Sequence, residues 1–102
     1  MIYHKLVRDK IPEIIESQGK TCISQILSRE EYLKMLDLKL SEELAEYQES
    51  KSLEELADLL EVMEAVTIAR GYTWEQLTAV KEEKRQKRGG FENRILLKEV
   101  IE

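Results

Sequence analysis

The stretches SEELAEYQE (Ser41–Glu49) and LEELADLLE (Leu53–Glu61) each carry two carboxylates at i, i+3: Glu43 with Glu46, and Glu55 with Asp58. On a helix that spacing puts both side chains on one face, with Cβ atoms about 5–6 Å apart. The residues around them repeat as helices. Leu33, Leu36, Leu40, Leu44 and Tyr47 form one apolar stripe, which Ser50-Lys51 interrupts. After the break, Leu53, Leu56, Leu60 and Met63 form a second stripe, and Leu59, Val62 and Val66 a third. Two helices packed against each other would bring the four carboxylates together. Two unit charges about 4 Å apart repel by about 4 kcal/mol at an effective dielectric of about 20, so the arrangement calls for a cation.

Start and stop signals extend this reading outward. Ser28 with Glu31, Ser52 with Glu55, and Thr73 with Gln76 each match a capping box. They predict helices from Ser28 to about Glu49, from Ser52 to Arg70 before Gly71, and from Thr73 to about Lys87 before Gly89-Gly90. Tyr72 can staple onto Leu77. Asp9 is the expected N-cap of a short helix with Pro12 in its first turn and Gly19 as its stop. Ile2 to Val7 reads as an extended arm. Thr21–Leu27 and Arg94–Ile101 are rich in β-branched and aliphatic residues and are expected to be short strands. The expected fold is mainly α: one domain over residues 1–102, with short terminal strands. The helix from Ser52 to Arg70 is apolar on more than one side, and a chain of 102 residues can barely cover it. A homo-oligomer is therefore expected to complete the bundle, most simply a twofold dimer, with a tetramer as the other choice.

Charge is unevenly distributed. The net charge is −5, but residues 30–64 alone carry −9, while each flank carries +2. An acidic centre with basic arms suits a metal and a phosphorylated ligand. The same distribution also describes solvated mixed-charge helices, and the net negative charge counts against nucleic acid as a partner. The single cysteine, Cys22, fits a reducing compartment. No apolar run approaches a membrane span, and MIYHKLVRDK has no apolar signal core, so a cytoplasmic protein with no membrane partner is expected.

The carboxylates have few bases near them in sequence. Lys39 and Lys51 are the only ones between Asp37 and Glu64. EExxE and ExxD are each common on exposed helices. The apolar setting of Asp58, in LADLLEVMEAV, argues against a plain solvated face. Hard oxygen ligands point to Mg²⁺ or Mn²⁺, and no His/Cys cluster suggests zinc.

EELAE (Glu42–Glu46) followed by ELAD (Glu55–Asp58) resembles the EExxE…ExxD signature of the all-α nucleoside triphosphate pyrophosphohydrolases. These include MazG, the all-α dUTPases and phosphoribosyl-ATP pyrophosphohydrolase. KLVRDKIPEII (Lys5–Ile15) and KRGGFENRILL (Lys87–Leu97) resemble a small MazG-like, phosphoribosyl-ATP pyrophosphohydrolase-like branch. The resemblance covers nearly the whole chain. Eight residues separate Glu46 from Glu55, fewer than the MazG pattern usually has, so a tighter turn is expected here.

The resemblance implies a MazG-like helical fold and Mg²⁺-dependent cleavage of the α–β phosphate bond of a nucleoside triphosphate, with a possible house-cleaning role. The products would be a monophosphate and pyrophosphate. Glu43, Glu46, Glu55 and Asp58 would hold the ion, and Glu42 or Glu43 would orient or deprotonate the water. Lys81, Lys84, Arg85 and Arg88 share one side of the last helix and are candidate phosphate ligands, as are Arg8 and Lys10. The basic helix end is equally what a helix macrodipole favours. Two other readings stand beside this one. The substrate could be phosphoribosyl-ATP or dUTP, or the chain could be a non-catalytic module that binds metal and nucleotide or nucleic acid.

Overall fold

Ser28 stops the chain running freely and starts the longest helix. In the computed structural model, which describes residues 4–102, its Oγ accepts from the Glu31 N–H at 3.2 Å. Four helices follow the chain order: α1 (Ile11–Ser17), α2 (Arg29–Ser50), α3 (Leu53–Ala69) and α4 (Trp74–Arg88). Ser52 caps α3 by accepting from the Glu55 N–H at 3.3 Å. Only Thr73 with Gln76 completes a reciprocal box: the Gln76 N–H donates to the Thr73 hydroxyl and the Thr73 N–H to the Gln76 side chain. In the other two, the Glu31 carboxylate accepts from the Ser28 hydroxyl, and the Glu55 side chain turns toward other carboxylates.

The turn between α2 and α3 is as tight as the short spacing predicts. Lys51 takes a left-handed conformation (φ 59°, ψ 19°), and its N–H donates to the Tyr47 carbonyl at 2.7 Å. An L-residue is strained there by roughly 1–2 kcal/mol. The Lys51 ammonium, 5.6 Å from the Tyr47 ring centroid, offsets part of that. Lys51→Gly should therefore raise stability by about 0.5–1 kcal/mol, read as a higher urea midpoint with an unchanged slope.

Helix α2 packs antiparallel to α3, and α3 meets α4 more briefly. The Arg29 guanidinium donates to the Ala69 carbonyl (3.3 Å) and Arg70 pairs with Asp37 (3.0 Å), which ties down the open end of the hairpin. Leu36 lies in this seam at 2% exposure and is the one buried apolar side chain among the described residues. Leu59, Val62 and Val66 are half-buried, whereas the Leu53, Leu56, Leu60 and Met63 stripe stays exposed.

Three expectations are corrected. The N-cap of α1 is Lys10, not Asp9, and no side chain caps that helix; the Ile14 N–H already reaches the Lys10 carbonyl at 3.0 Å. No strand forms among the described residues, so neither Thr21–Leu27 nor Arg94–Ile101 is one. A strand needs a neighbour for its backbone N–H and C=O groups, and neither segment has one. Their apolar side chains face outward: Ile23 and Ile26 are fully exposed, and Ile95 and Ile101 nearly so. The beginning of the expected Ile2–Val7 arm lies outside the described residues.

The result is a chain that has not closed around a core. Its radius of gyration is 18.3 Å, where a compact domain of this length has about 13 Å. Its accessible surface is 9554 Å², where a folded monomer of 12.0 kDa exposes about 6,000 Å². Among the described residues no helix is long and apolar enough to cross a membrane.

Candidate metal centre

Glu43 lies on the face of α2 that packs against α3, and its residue exposure is 7%. Oε1 sits 3.5 Å from the Lys39 Nζ one turn earlier, while Oε2 is buried with no hydrogen-bond partner. Glu55 and Asp58 occupy the first two turns of α3, placed opposite by the tight Lys51 turn. Glu55 Oε2 is likewise buried and unpartnered. One carboxylate oxygen from each of Glu43, Glu55 and Asp58 comes within 4.8 Å of the others.

Glu46 stands beside this trio. Burial raises the pKa of Glu43 first, and contact with the Glu46 carboxylate and its charge raise it further; Lys39 acts in the opposite direction and Asp58 adds to the rise. Glu55 is raised by lost solvation, then by the charges of Glu46 and Asp58, with Glu54 contributing last. Two carboxylates, one buried and one half-buried, are thus held where their ionised forms are disfavoured, and a divalent ion would remove that penalty directly. Three of the four carboxylates picked out by spacing come together, with Glu46 against Glu43 and Glu55 beside them.

Two basic side chains pair with the cluster, Arg8 from the front of the chain and Lys39 from α2, and Lys5 pairs with the neighbouring Glu42. Arg8 Nη2 lies 2.7 Å from Asp58 Oδ1, and Nη1 lies 3.5 Å from Glu61. Lys5 pairs with Glu42 at 3.3 Å, and Lys39 with Glu42 at 3.6 Å. Lys5 and Glu61 were not picked out by the sequence reading; the opposite charges of arm and centre were the signal available. The other predicted phosphate ligands, Lys10, Lys81, Lys84, Arg85 and Arg88, make no ion pair with the cluster among the described residues. Lys10 caps α1, and Arg85 pairs with Glu92 at 2.8 Å.

Two shallow hollows lie near the site. One of about 200 Å³ runs between Lys5, Leu6, Met35 and Glu42; the other, of about 280 Å³, is lined by Tyr32, Glu61 and Ile68. Both fall below the roughly 300–1,000 Å³ of pockets that bury small molecules. Among the described residues a single chain therefore offers a candidate cation site and a rim, without a closed ligand chamber.

Comparison with known proteins leaves the family open. No protein-family model matches, and no solved structure matches. One similar protein, from Mycolicibacterium smegmatis and described as uncharacterized, is 52% identical over 42 residues. That stretch covers 41% of this chain and 43% of the mycobacterial protein, so the likeness is local.

Proposed function

We propose that the chain is a Mg²⁺-dependent nucleoside triphosphate pyrophosphohydrolase of MazG-like type, acting as a homo-oligomer. The observation that carries the cation site is Glu43, more than nine-tenths buried, with an unpartnered oxygen in a group that also holds Glu55 and Asp58. The donor set fits a hard ion: carboxylate oxygens only, with two orphaned atoms for an ion to satisfy. Glu43, Glu55 and Asp58 would hold it, with Glu46 as the fourth ligand. When bound, Mg²⁺ (or Mn²⁺) would supply charge neutralisation at the phosphate oxygens. The choice of reaction rests on the motif order KLVRDKIPEII, EELAE, ELAD and KRGGFENRILL.

In that reaction water attacks the α-phosphorus and the bond to the α–β bridging oxygen breaks. Pyrophosphate leaves with that oxygen, and a proton of the water passes to a carboxylate. Glu42 is the candidate acceptor. Lys5 and Lys39 hold it at the rim, next to Glu43 in sequence but outside the trio. Arg8 and Lys5 are the bases placed to meet phosphate. A second copy of the chain would wall in the open rim and cover the exposed face of α3.

The test is pyrophosphate release from a panel of nucleoside triphosphates, dUTP and phosphoribosyl-ATP included, with and without Mg²⁺. Asp58→Asn should lower turnover at least a hundredfold. Intact turnover in that variant, or no substrate yielding monophosphate and pyrophosphate, overturns the proposal. Nucleic-acid binding that weakens steeply with salt, in place of turnover, would support a binding module instead.

A further inference from the structure

The arm before α1 reaches far across the sequence to the acidic centre. Arg8 meets Asp58 fifty residues away, and Lys5 meets Glu42 thirty-seven residues away. Helix α1, which follows the arm, packs on no other helix. The arm can therefore move without unpicking the α2–α3 seam. Leu6 is half-buried beside Met35 and Leu38, and the ion pairs supply the rest of its attachment.

Asp58 is thus asked to serve two cations. Its Oδ1 accepts from Arg8 at 2.7 Å, and one of its oxygens belongs to the trio with Glu43 and Glu55. A guanidinium and a divalent ion on one carboxylate repel each other. Lys39 differs, because it stands on α2 itself within one turn of Glu42 and Glu43, its side chain 21% exposed, and cannot leave. Arg8 and Asp58 are both substantially exposed at their side chains, and such pairs are weak enough to be exchanged.

We propose that the N-terminal arm is a cation latch: Arg8, supported by Lys5, neutralises the metal-free centre and is displaced from Asp58 when a divalent ion binds. The proposal rests on the cation site described above. Displacement swings the Arg8 guanidinium off Asp58 at the moment the ion arrives, leaving it free for phosphate and loosening the arm that carries Lys5. Metal and anionic ligand then bind cooperatively through the arm, with no change in the helical hairpin.

The experiment uses the full chain and Mn²⁺ alone, with free Mn²⁺ followed by electron paramagnetic resonance. Arg8→Gln should bind Mn²⁺ about three- to tenfold more tightly than the wild type. Trypsin cleavage at the Lys5–Leu6 bond should be slow in metal-free wild type and several-fold faster with Mn²⁺. In Asp58→Asn combined with Glu61→Gln it should be fast with or without Mn²⁺, since Arg8 has then lost both of its carboxylate partners. Unchanged or weaker Mn²⁺ binding by Arg8→Gln makes Arg8 a positioning residue and overturns the latch, as does cleavage that Mn²⁺ leaves unchanged or slows. If the wild type binds no Mn²⁺, the cation site itself falls and the latch with it. If it binds but the arm does not respond, the latch alone falls.

Discussion

Mn²⁺ at a hundred times its dissociation constant should stabilise the protein by about 2.7 kcal/mol. For a chain of this length that is a rise in Tm of roughly 10–20 °C. The effect is large because the site is poorly balanced without an ion. Glu43 and Glu55 each present a buried oxygen with no partner, and Glu46 adds like charge to both. The pH dependence should change sign with metal. Both groups have folded-state pKa values raised above the unfolded ones. Without metal, their contribution is most favourable below the ordinary carboxylate range and is lost as pH rises through the raised values. With metal, the ligands must be ionised, so affinity grows over that same rise in pH. Calorimetric scans at pH 5 and pH 8 should then show a small Mn²⁺ shift at the lower pH and a large one at the higher. Glu43→Gln should raise the metal-free Tm and abolish most of the Mn²⁺ shift. An equal Mn²⁺ shift at both pH values, or none at pH 8, rules the site out.

The helices were legible because several local signals agree at each end. Ser28, Ser52 and Thr73 all cap where their spacing to Glu31, Glu55 and Gln76 places them. The carboxylate cluster was legible for a related reason: i, i+3 spacing on two helices joined by a two-residue turn leaves little freedom in where the pairs meet. The strand readings failed because a β-branched run specifies a willingness to pair, while a sheet also needs a neighbour at about 4.7–4.9 Å. Asp9 failed as a cap because the helix begins one residue later, with Pro12 already fixing the first turn. Arg8 was picked out as a base, but its partners Asp58 and Glu61 are contacts across the fold that no local pattern encodes. The basic run on α4 shows the converse. Its charges are as regular as those of the site, yet among the described residues none of them pairs with the cluster, and Lys87 is matched to Glu83 at 2.8 Å within the helix. Regular spacing locates groups on a helix face; only packing decides which face meets which.

Self-association should prove as consequential as the ion. The protein should sediment at no less than twice its 12.0 kDa chain mass, and Leu56→Glu with Leu60→Glu should return it to the monomer. The accessible surface exceeds that of a compact monomer of this mass by roughly 3,500 Å² per chain, more than the roughly 1,000–2,500 Å² that each partner of a stable obligate dimer buries. A second copy can be seated within that surplus. The face it would cover is specific. Leu53 is 78% exposed, with Leu56, Leu60 and Met63 each around half exposed, along the side of α3 turned away from α2. At about 25 cal/mol per Å² of apolar surface, each ~100 Å² of this face that a second copy covers is worth about 2.5 kcal/mol before ordering costs. A seam holding one buried leucine leaves the isolated hairpin dependent on that contribution. The charged double variant should therefore lose its cooperative melt along with its partner, while Ile23→Glu, at a site remote from α3, should leave mass and melting unchanged. Sedimentation equilibrium across a hundredfold range of concentration decides the matter: a wild-type mass of one chain throughout would show that the apolar face of α3 is not an interface between copies.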